Sequence, residues 1–333
     1  MFNVRNADKI LRGCTFIDLF SGIGGFHLAL SSYGAQCVFA SEINEAAARV
    51  YEKNFGIQPQ GDIRDIRIRK IPKHDIICAG FPCQPFSISG HRNGFSDENG
   101  KLFFEIYRIA RYHQPRFIIL ENVKNLLTHN DGTTINLIEE RLQKIGYKTY
   151  KDVLCATEFS VPQARKRIYI VAFRNDLNVQ KFQFPQGKGK IKAVEDILEH
   201  NVDQHYTITS PYIIDFTRCN DTFSPKEILR VGAVGLGRQG ERIYSIKGQG
   251  ITLSSQGGGV GGKTGMYYID NSVRKLTPRE CARMMGFPEK FKLAQTDSEC
   301  YRQFGNSVVV NVLQEIIGKA SKLIVGGDTN EKH

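Results

Sequence analysis

The sequence predicts a doubly wound α/β protein with a mostly parallel sheet and a smaller glycine-rich domain inserted late in the chain. Three observations carry that expectation. Short apolar runs alternate with amphipathic stretches through the first half, glycine or proline punctuates them, and from about residue 185 the alternation stops. A chain of 333 residues can bury a substantial core in one large domain or two unequal ones.

Taken in order, TFIDLF (15–20), CVFASE (37–42), HDIICAG (74–80), RFIILENV (116–123) and RIYIVAF (167–173) read as buried strands. FHLALSSYG, NEAAARVYEKNFG and LFFEIYRIARYHQ lie between the first four and carry helical spacing. Such a repeat makes a parallel sheet with its functional loops at the carboxyl ends of the strands. Residues 232–265 then hold 12 of the 32 glycines, interleaved with Arg238, Arg242, Lys247 and Lys263. Dense glycine lets backbone approach a ligand closely, and the basic residues suit phosphate; a flexible loop is the plainer reading. Helical patterning returns in TPRECARMMGF and NSVVVNVLQEIIGKASKLIV. The expected division is a first domain over 1–188, an insertion over 189–275, and a return over 276–333 that ends in a C-terminal helix.

No run of about 18 apolar residues occurs, and MFNVRNADKI lacks the order of a signal peptide, so a cytoplasmic protein is expected. The eight cysteines form no CxxC pair and no Cys/His cluster at metal spacing, which argues against structural zinc, a disulfide framework or any bound metal. The formal charge of +11, from 45 Lys and Arg against 34 Asp and Glu, favours a polyanionic partner.

In FSGIGGF, Gly22, Gly24 and Gly25 make a tight turn after the first strand. The dinucleotide fingerprint would need glycine at 27, where His27 stands, so a pyrophosphate cofactor is disfavoured. Glu42 in ASEIN and Asp62 in QGDI follow beside the turn, placed to hold a ribose and an adenine amine. A mononucleoside cofactor fits them better than NAD, with a surface charge or a helix cap as the alternative for each alone. In AGFPCQPFSISG, Pro82 and Pro85 stiffen the backbone around Cys83 at the end of a strand, which suits a nucleophile. Cys78, inside that strand, reads as inert core. Glu121 in LENV ends the next strand on the same rim, where partial burial should keep a proton available. Thiol and acid could then attack and protonate one ring together; capping of the following turn is the alternative for Glu121.

The order FSGIGGF, SEIN, GDI, GFPCQPFS, ENV, VPQARKR, a glycine-rich basic segment, RKLTPRECARMMGFP and FGNSVVVNV resembles the DNA cytosine-5 methyltransferase family over nearly the whole chain. The resemblance implies an S-adenosylmethionine-dependent methyltransferase fold with an inserted target-recognition domain. It implies methyl transfer from S-adenosyl-L-methionine to C5 of a flipped-out cytosine in double-stranded DNA, leaving S-adenosyl-L-homocysteine. Cys83 would add to the ring while Glu121 protonates it, and Arg165 and Arg167 of PQARKR would support the flipped base and its phosphate. The cofactor would be held by Phe20, Gly22, Gly24, Gly25, Glu42, Ile43, Asp62, Ile63, Pro82 and Asn306.

For DNA, the resemblance implies Ser89 in a lid at 87–101, Gln239 filling the gap left by the flipped base, Arg242 reading a guanine edge, and the pair Thr252 and Leu253. The segment around Gln239 resembles that of a family member whose site is GCGC. Ile43 stands where that relative carries tryptophan, Gln256 where it has tyrosine and Arg238 where it has glycine, and the chain has no tryptophan at all. The resemblance also implies a bacterial restriction-modification role, a monomer, no membrane, and functional pairing with a restriction endonuclease. A transfer RNA cytosine methyltransferase, a thiol hydrolase and a silent DNA-binding protein stay open. The long Gly/Arg segment argues against the first, the lack of a histidine partner motif against the second, and intact Cys83 and Glu121 against the third.

Overall fold

The computed structural model describes residues 9–81, 101–187, 189–218 and 226–326. The chain divides into two compact units, one of Met1–Leu154, Lys166–Pro185 and Leu313–His333, the other of Cys155–Arg165 and Gln186–Val312. The return expected at 276 thus lies inside the second unit, which runs on to Val312.

The first unit is built on a six-stranded sheet of β1 (Thr15–Leu19), β2 (Gln36–Ser41), β3 (Ile76–Gly80), β4 (Phe117–Val123), β5 (Tyr147–Cys155) and β6 (Lys166–Arg174), in the order β2-β1-β3-β4-β6-β5. β1 pairs in parallel with β2 and with β3, β3 pairs in parallel with β4, and β6 runs antiparallel to β4. Strand order therefore reverses at β1, and the crevice outside the carboxyl ends of β1 and β3 is where such sheets take ligands. This is the doubly wound sheet expected. The parallel strands are mainly apolar because both faces are covered: Ile17, Leu19, Ile77, Ala79, Ile118 and Leu120 sit in one core with Phe103, Ile106, Ile109 and Ala110. Those last four belong to α3 (Lys101–His113), whose apolar side recurs at helical spacing.

α1 (Gly25–Ser32) follows the glycine turn. α2 (Glu45–Phe55) is capped by the Asn44 side chain, which accepts from Ala47 N–H, and closes on Gly56 in the left-handed conformation. α4 (Thr133–Lys144) and β5 were not expected. The burial of β5 follows no clean alternation because it is an edge strand with a polar sequence, YKTYKDVLC. The last described helix, Val310–Gly326, meets the end of α1: Tyr33 Oη donates to the Gln314 carbonyl at 2.9 Å and Gln314 Nε2 donates to Ser32 Oγ at 3.2 Å.

The second unit contains a five-stranded sheet, ordered β11-β10-β9-β8-β7, from β7 (Tyr212–Ile214), β8 (Arg230–Val234), β9 (Arg242–Ser245), β10 (Met266–Ile269) and β11 (Ser272–Lys275). Its small core is Ile208, Val231, Val234, Ile243, Met266 and Val273. The glycine-rich stretch is therefore interleaved with regular sheet. α5 (Pro278–Met284) starts with a Thr277–Glu280 capping box, α6 (Asp297–Asn306) with a Thr296 cap, and α7 (Val310–Gly326) is the last described element. Among the described residues no helix is long and apolar enough to cross a membrane.

Candidate active site

The site grows from the turn after β1. Phe20 (φ 54°), Gly22 (φ 53°) and Gly24 (φ 89°) all adopt the left-handed region, which reverses the chain within four residues. Glycine is required at 24 twice over, by that φ and because a Cβ there would lie 2.2 Å from Cε2 of Phe55. At Gly22 the space is open, so a ligand can approach the backbone.

Glu42, directly after β2, bonds to this turn. Its Oε2 accepts from Gly22 N–H at 2.8 Å and its Oε1 from Asn44 N–H at 2.7 Å. Burial raises its carboxyl above the ordinary range, while the N–H groups of Asn44, Gly22 and Ile43 oppose that rise. Ile43 beside it is 68% exposed, an apolar side chain left facing out at the strand end. Asp62 caps a 3-10 turn at Ile63–Asp65, accepting from Arg64 N–H, and Ile63 is buried beneath. The Arg64 guanidinium holds the Asp62 carboxyl below its usual range.

Under the turn lies a polar cluster that sequence reasoning missed. Asp18 of β1 is fully buried; it accepts from Tyr51 Oη at 3.4 Å and from Cys78 Sγ at 3.5 Å. Burial pushes its carboxyl well up, and the Cys78 and Tyr51 bonds only partly oppose this. His27 shares a 2.7 Å hydrogen bond with Tyr51 Oη and stacks on Phe55 at 3.8 Å between ring centroids. Burial holds its imidazole down at about 4. The signal was present: a charged residue in the apolar run TFIDLF, and a histidine in an apolar helix. Cys78, bonded also to the Ile17 carbonyl and pushed up by burial, is the inert core thiol expected.

Glu121 is 8% exposed and stands opposite Gly80 on β3 and Tyr169 on β6. Its Oε1 lies 3.2 Å from Arg167 Nε, so one expected arginine is placed on the expected acid. Asn122, which the sequence reading passed over, donates through Nδ2 to the Phe81 carbonyl at 2.8 Å and accepts at Oδ1 from Val123 N–H. It pins the backbone just ahead of residue 82. Pro82, Cys83 and Ser89 lie outside the described residues.

Arg165 is in the second unit and only 3% exposed. Its guanidinium donates to the carbonyls of Ser307 (2.7 Å), Gly305 (3.3 Å) and Leu253 (3.4 Å). Gln163, fully buried, donates to the Met284 carbonyl and accepts from Leu253 N–H. Thr252 donates to the Ala164 carbonyl at 2.7 Å, and Leu253 is 3% exposed. Thr252 and Leu253, expected at the DNA, also form a seam with 163–165, because buried carbonyls and amides there need partners. Gln239 and Arg242 are exposed, the first opening a 3-10 turn over Gln239–Glu241 and the second following it; Arg238 N–H donates to Glu241 Oε2 at 2.9 Å. Asn306 ends α6, exposed, and belongs to the second unit, unlike the other described cofactor candidates. Among the described residues no group of three or more His, Cys, Asp or Glu could hold a metal ion.

The family described as C-5 cytosine-specific DNA methylase matches residues 14–322. The chain belongs to that family. It is a DNA cytosine-5 methyltransferase, 48% identical over 310 residues to Type II methyltransferase M.HhaI of Haemophilus parahaemolyticus, with 93% of this chain and 94% of the relative covered. Type II methyltransferase M.DsaV of Dactylococcopsis salina is 40% identical over 309 residues, covering 91% and 85%. Among solved structures, the Dnmt2 methyltransferase of S. pombe matches with a TM-score of 0.69 at 22% identity, over 92% of this chain and 97% of that one. A mutant DNMT2 from Spodoptera frugiperda gives 0.71 at 23%, over 93% and 99%. These two likenesses bear on the fold of the methyltransferase and agree with its doubly wound sheet.

Proposed function

We propose that this methyltransferase moves a methyl group from S-adenosylmethionine to C5 of a cytosine flipped out of duplex DNA, within GCGC, as the modification enzyme of a restriction-modification system. The observation that carries the reading is the shared edge of the first sheet: the left-handed Gly22 turn, Glu42 bonded to it, and Glu121 with Arg167 all stand at the ends of neighbouring strands.

The residues fit the cofactor. Open space over Gly22 admits a ligand against backbone, Glu42 retains acceptor capacity for ribose hydroxyls, and exposed Ile43 offers an apolar face to adenine where a relative has tryptophan. When bound, S-adenosylmethionine supplies an electrophilic methyl group. Cys83, three residues beyond β3, adds as thiolate to C6 of the ring, and Glu121 donates a proton to N3, which makes C5 nucleophilic. After methylation C5 loses its proton to a base, the C5–C6 double bond re-forms as the thiolate leaves, and N3 returns its proton to Glu121. Arg167 orients Glu121, and Asn122 fixes the backbone at Phe81, two residues before Cys83. The GCGC target rests on the likeness to M.HhaI and on exposed Gln239 and Arg242, whose fork suits guanine O6 and N7.

The test is transfer of labelled methyl groups to duplexes carrying GCGC, its single-base variants or no such site, with transfer RNA alongside. Label confined to GCGC, and abolished by Cys83→Ala while DNA binding persists, is the expected result. Label at another sequence overturns the GCGC reading alone; full activity of Cys83→Ala overturns the mechanism.

A further inference from the structure

Asp62 and Glu42, the two carboxylates assigned to the cofactor, are engaged very differently. An ionised carboxylate offers about four acceptor positions. At Asp62 three N–H groups of one residue cover both oxygens: Oδ1 accepts from Arg64 N–H (2.9 Å) and shares the Nε–H (3.0 Å) with Oδ2 (2.9 Å), which also accepts from Nη2 (2.5 Å). The cause is local. Asp62 caps the turn at Ile63–Asp65, buried Ile63 anchors it, and the capped residue two positions on folds its guanidinium back over the same carboxylate. Both side chains remain within reach of solvent, 39% exposed for Arg64 and 17% for Asp62.

Resting on the cofactor reading above, we propose that Arg64 sets the affinity and base selectivity of the cofactor site by occupying the acceptor positions of Asp62 that an adenine amine requires. The amine gains Asp62 only as the guanidinium withdraws, so Arg64 works against 6-amino purines and is indifferent or favourable to a 6-oxo purine, whose carbonyl accepts. An exposed ion pair is weak enough for a ligand to displace.

The test is calorimetric binding of S-adenosylhomocysteine and its 6-oxo inosine counterpart to the full chain, to Arg64→Ala, Asp62→Asn and the double variant. Arg64→Ala is expected to bind the adenosine compound about 2- to 5-fold more tightly at low salt, the range set by an exposed pair. The inosine compound should not gain, and in the Asp62→Asn background neither should, because the effect runs through Asp62. At high salt the ratio should fall toward one. Unchanged or weaker binding in Arg64→Ala, or equal tightening of both compounds, overturns the proposal. If the unaltered chain binds neither compound, the cofactor reading falls and this proposal with it.

Discussion

Glycine does different work in the two units. At Gly22 in the first unit the backbone is left-handed and the space above it is open, whereas in the second unit a Cβ at Gly257 would lie 1.4 Å from the Gly262 carbonyl oxygen, and one at Gly240 1.9 Å from that of Gly258. The first use leaves room for a ligand; the second lets strands and turns of the protein's own backbone close on each other. Density of glycine in sequence does not distinguish these. Arginine divides likewise: Arg167 is half-buried against a carboxylate, while Arg165 is enclosed and serves backbone carbonyls.

The contrast between the arginines predicts the largest change. Arg165→Ala should cost about 3 kcal/mol of stability, since it strands buried carbonyl oxygens, whereas the main effect of Arg167→Ala, which loses a single ion pair to Glu121, should be lower methyl transfer, with less stability lost. Denaturant melts beside initial rates would break the comparison if both variants lost stability equally.

Acid should separate the units by sign. Burial holds His27 and His74 in the first unit at about 4, below the ordinary 6.5, so the unfolded chain takes up their protons first. Their contribution is present above pH 6.5 and lost as pH falls toward 4, roughly 3 kcal/mol for each. His205, exposed in the second unit, is raised by Asp203 and then Asp297, so its contribution is present at low pH and lost as pH rises. Unfolding free energies between pH 7.5 and 4.5 for the parent, His27→Gln and His74→Gln should show each variant flattening the slope.

The glycine pair itself comes next. Gly257→Ala should cost about 2–3 kcal/mol through displaced backbone, and Gly22→Ala about 1–2 kcal/mol through its φ alone, with weaker cofactor binding as its main effect. Thermal shifts with and without S-adenosylhomocysteine report both. Arg242→Ala, exposed on the second unit, should leave stability within about 0.5 kcal/mol and relax discrimination at one base of the site by about 1–3 kcal/mol. Methylation of single-base variants at fixed salt measures it, and uniform weakening across all sites would mean that Arg242 meets phosphate only.

The legible parts of this protein were those governed by short-range rules. β1, β2, β3, β4 and β6 could be read because strands covered on both faces are runs of mainly apolar residues, and α1, α2 and α3 because their apolar spacing and end residues agree. Cys83, Glu121, Glu42 and Asp62 stood out in sequence as reactive or acidic residues at the ends of such runs. Edge strand β5 and the short strands β8 and β9 could not be read, since their pairing partners, more than their own pattern, make them strands.

Sequence by itself determined the chemistry on offer and its order along the chain, because residue type and strand periodicity are local properties. Only the tertiary structure decided which polar groups meet. It put Arg167 on Glu121, Arg165 on carbonyls 88 to 142 residues away, and Tyr51 between Asp18 and His27. Buried polar atoms must find partners wherever the fold brings them, and that requirement is set by packing across the chain.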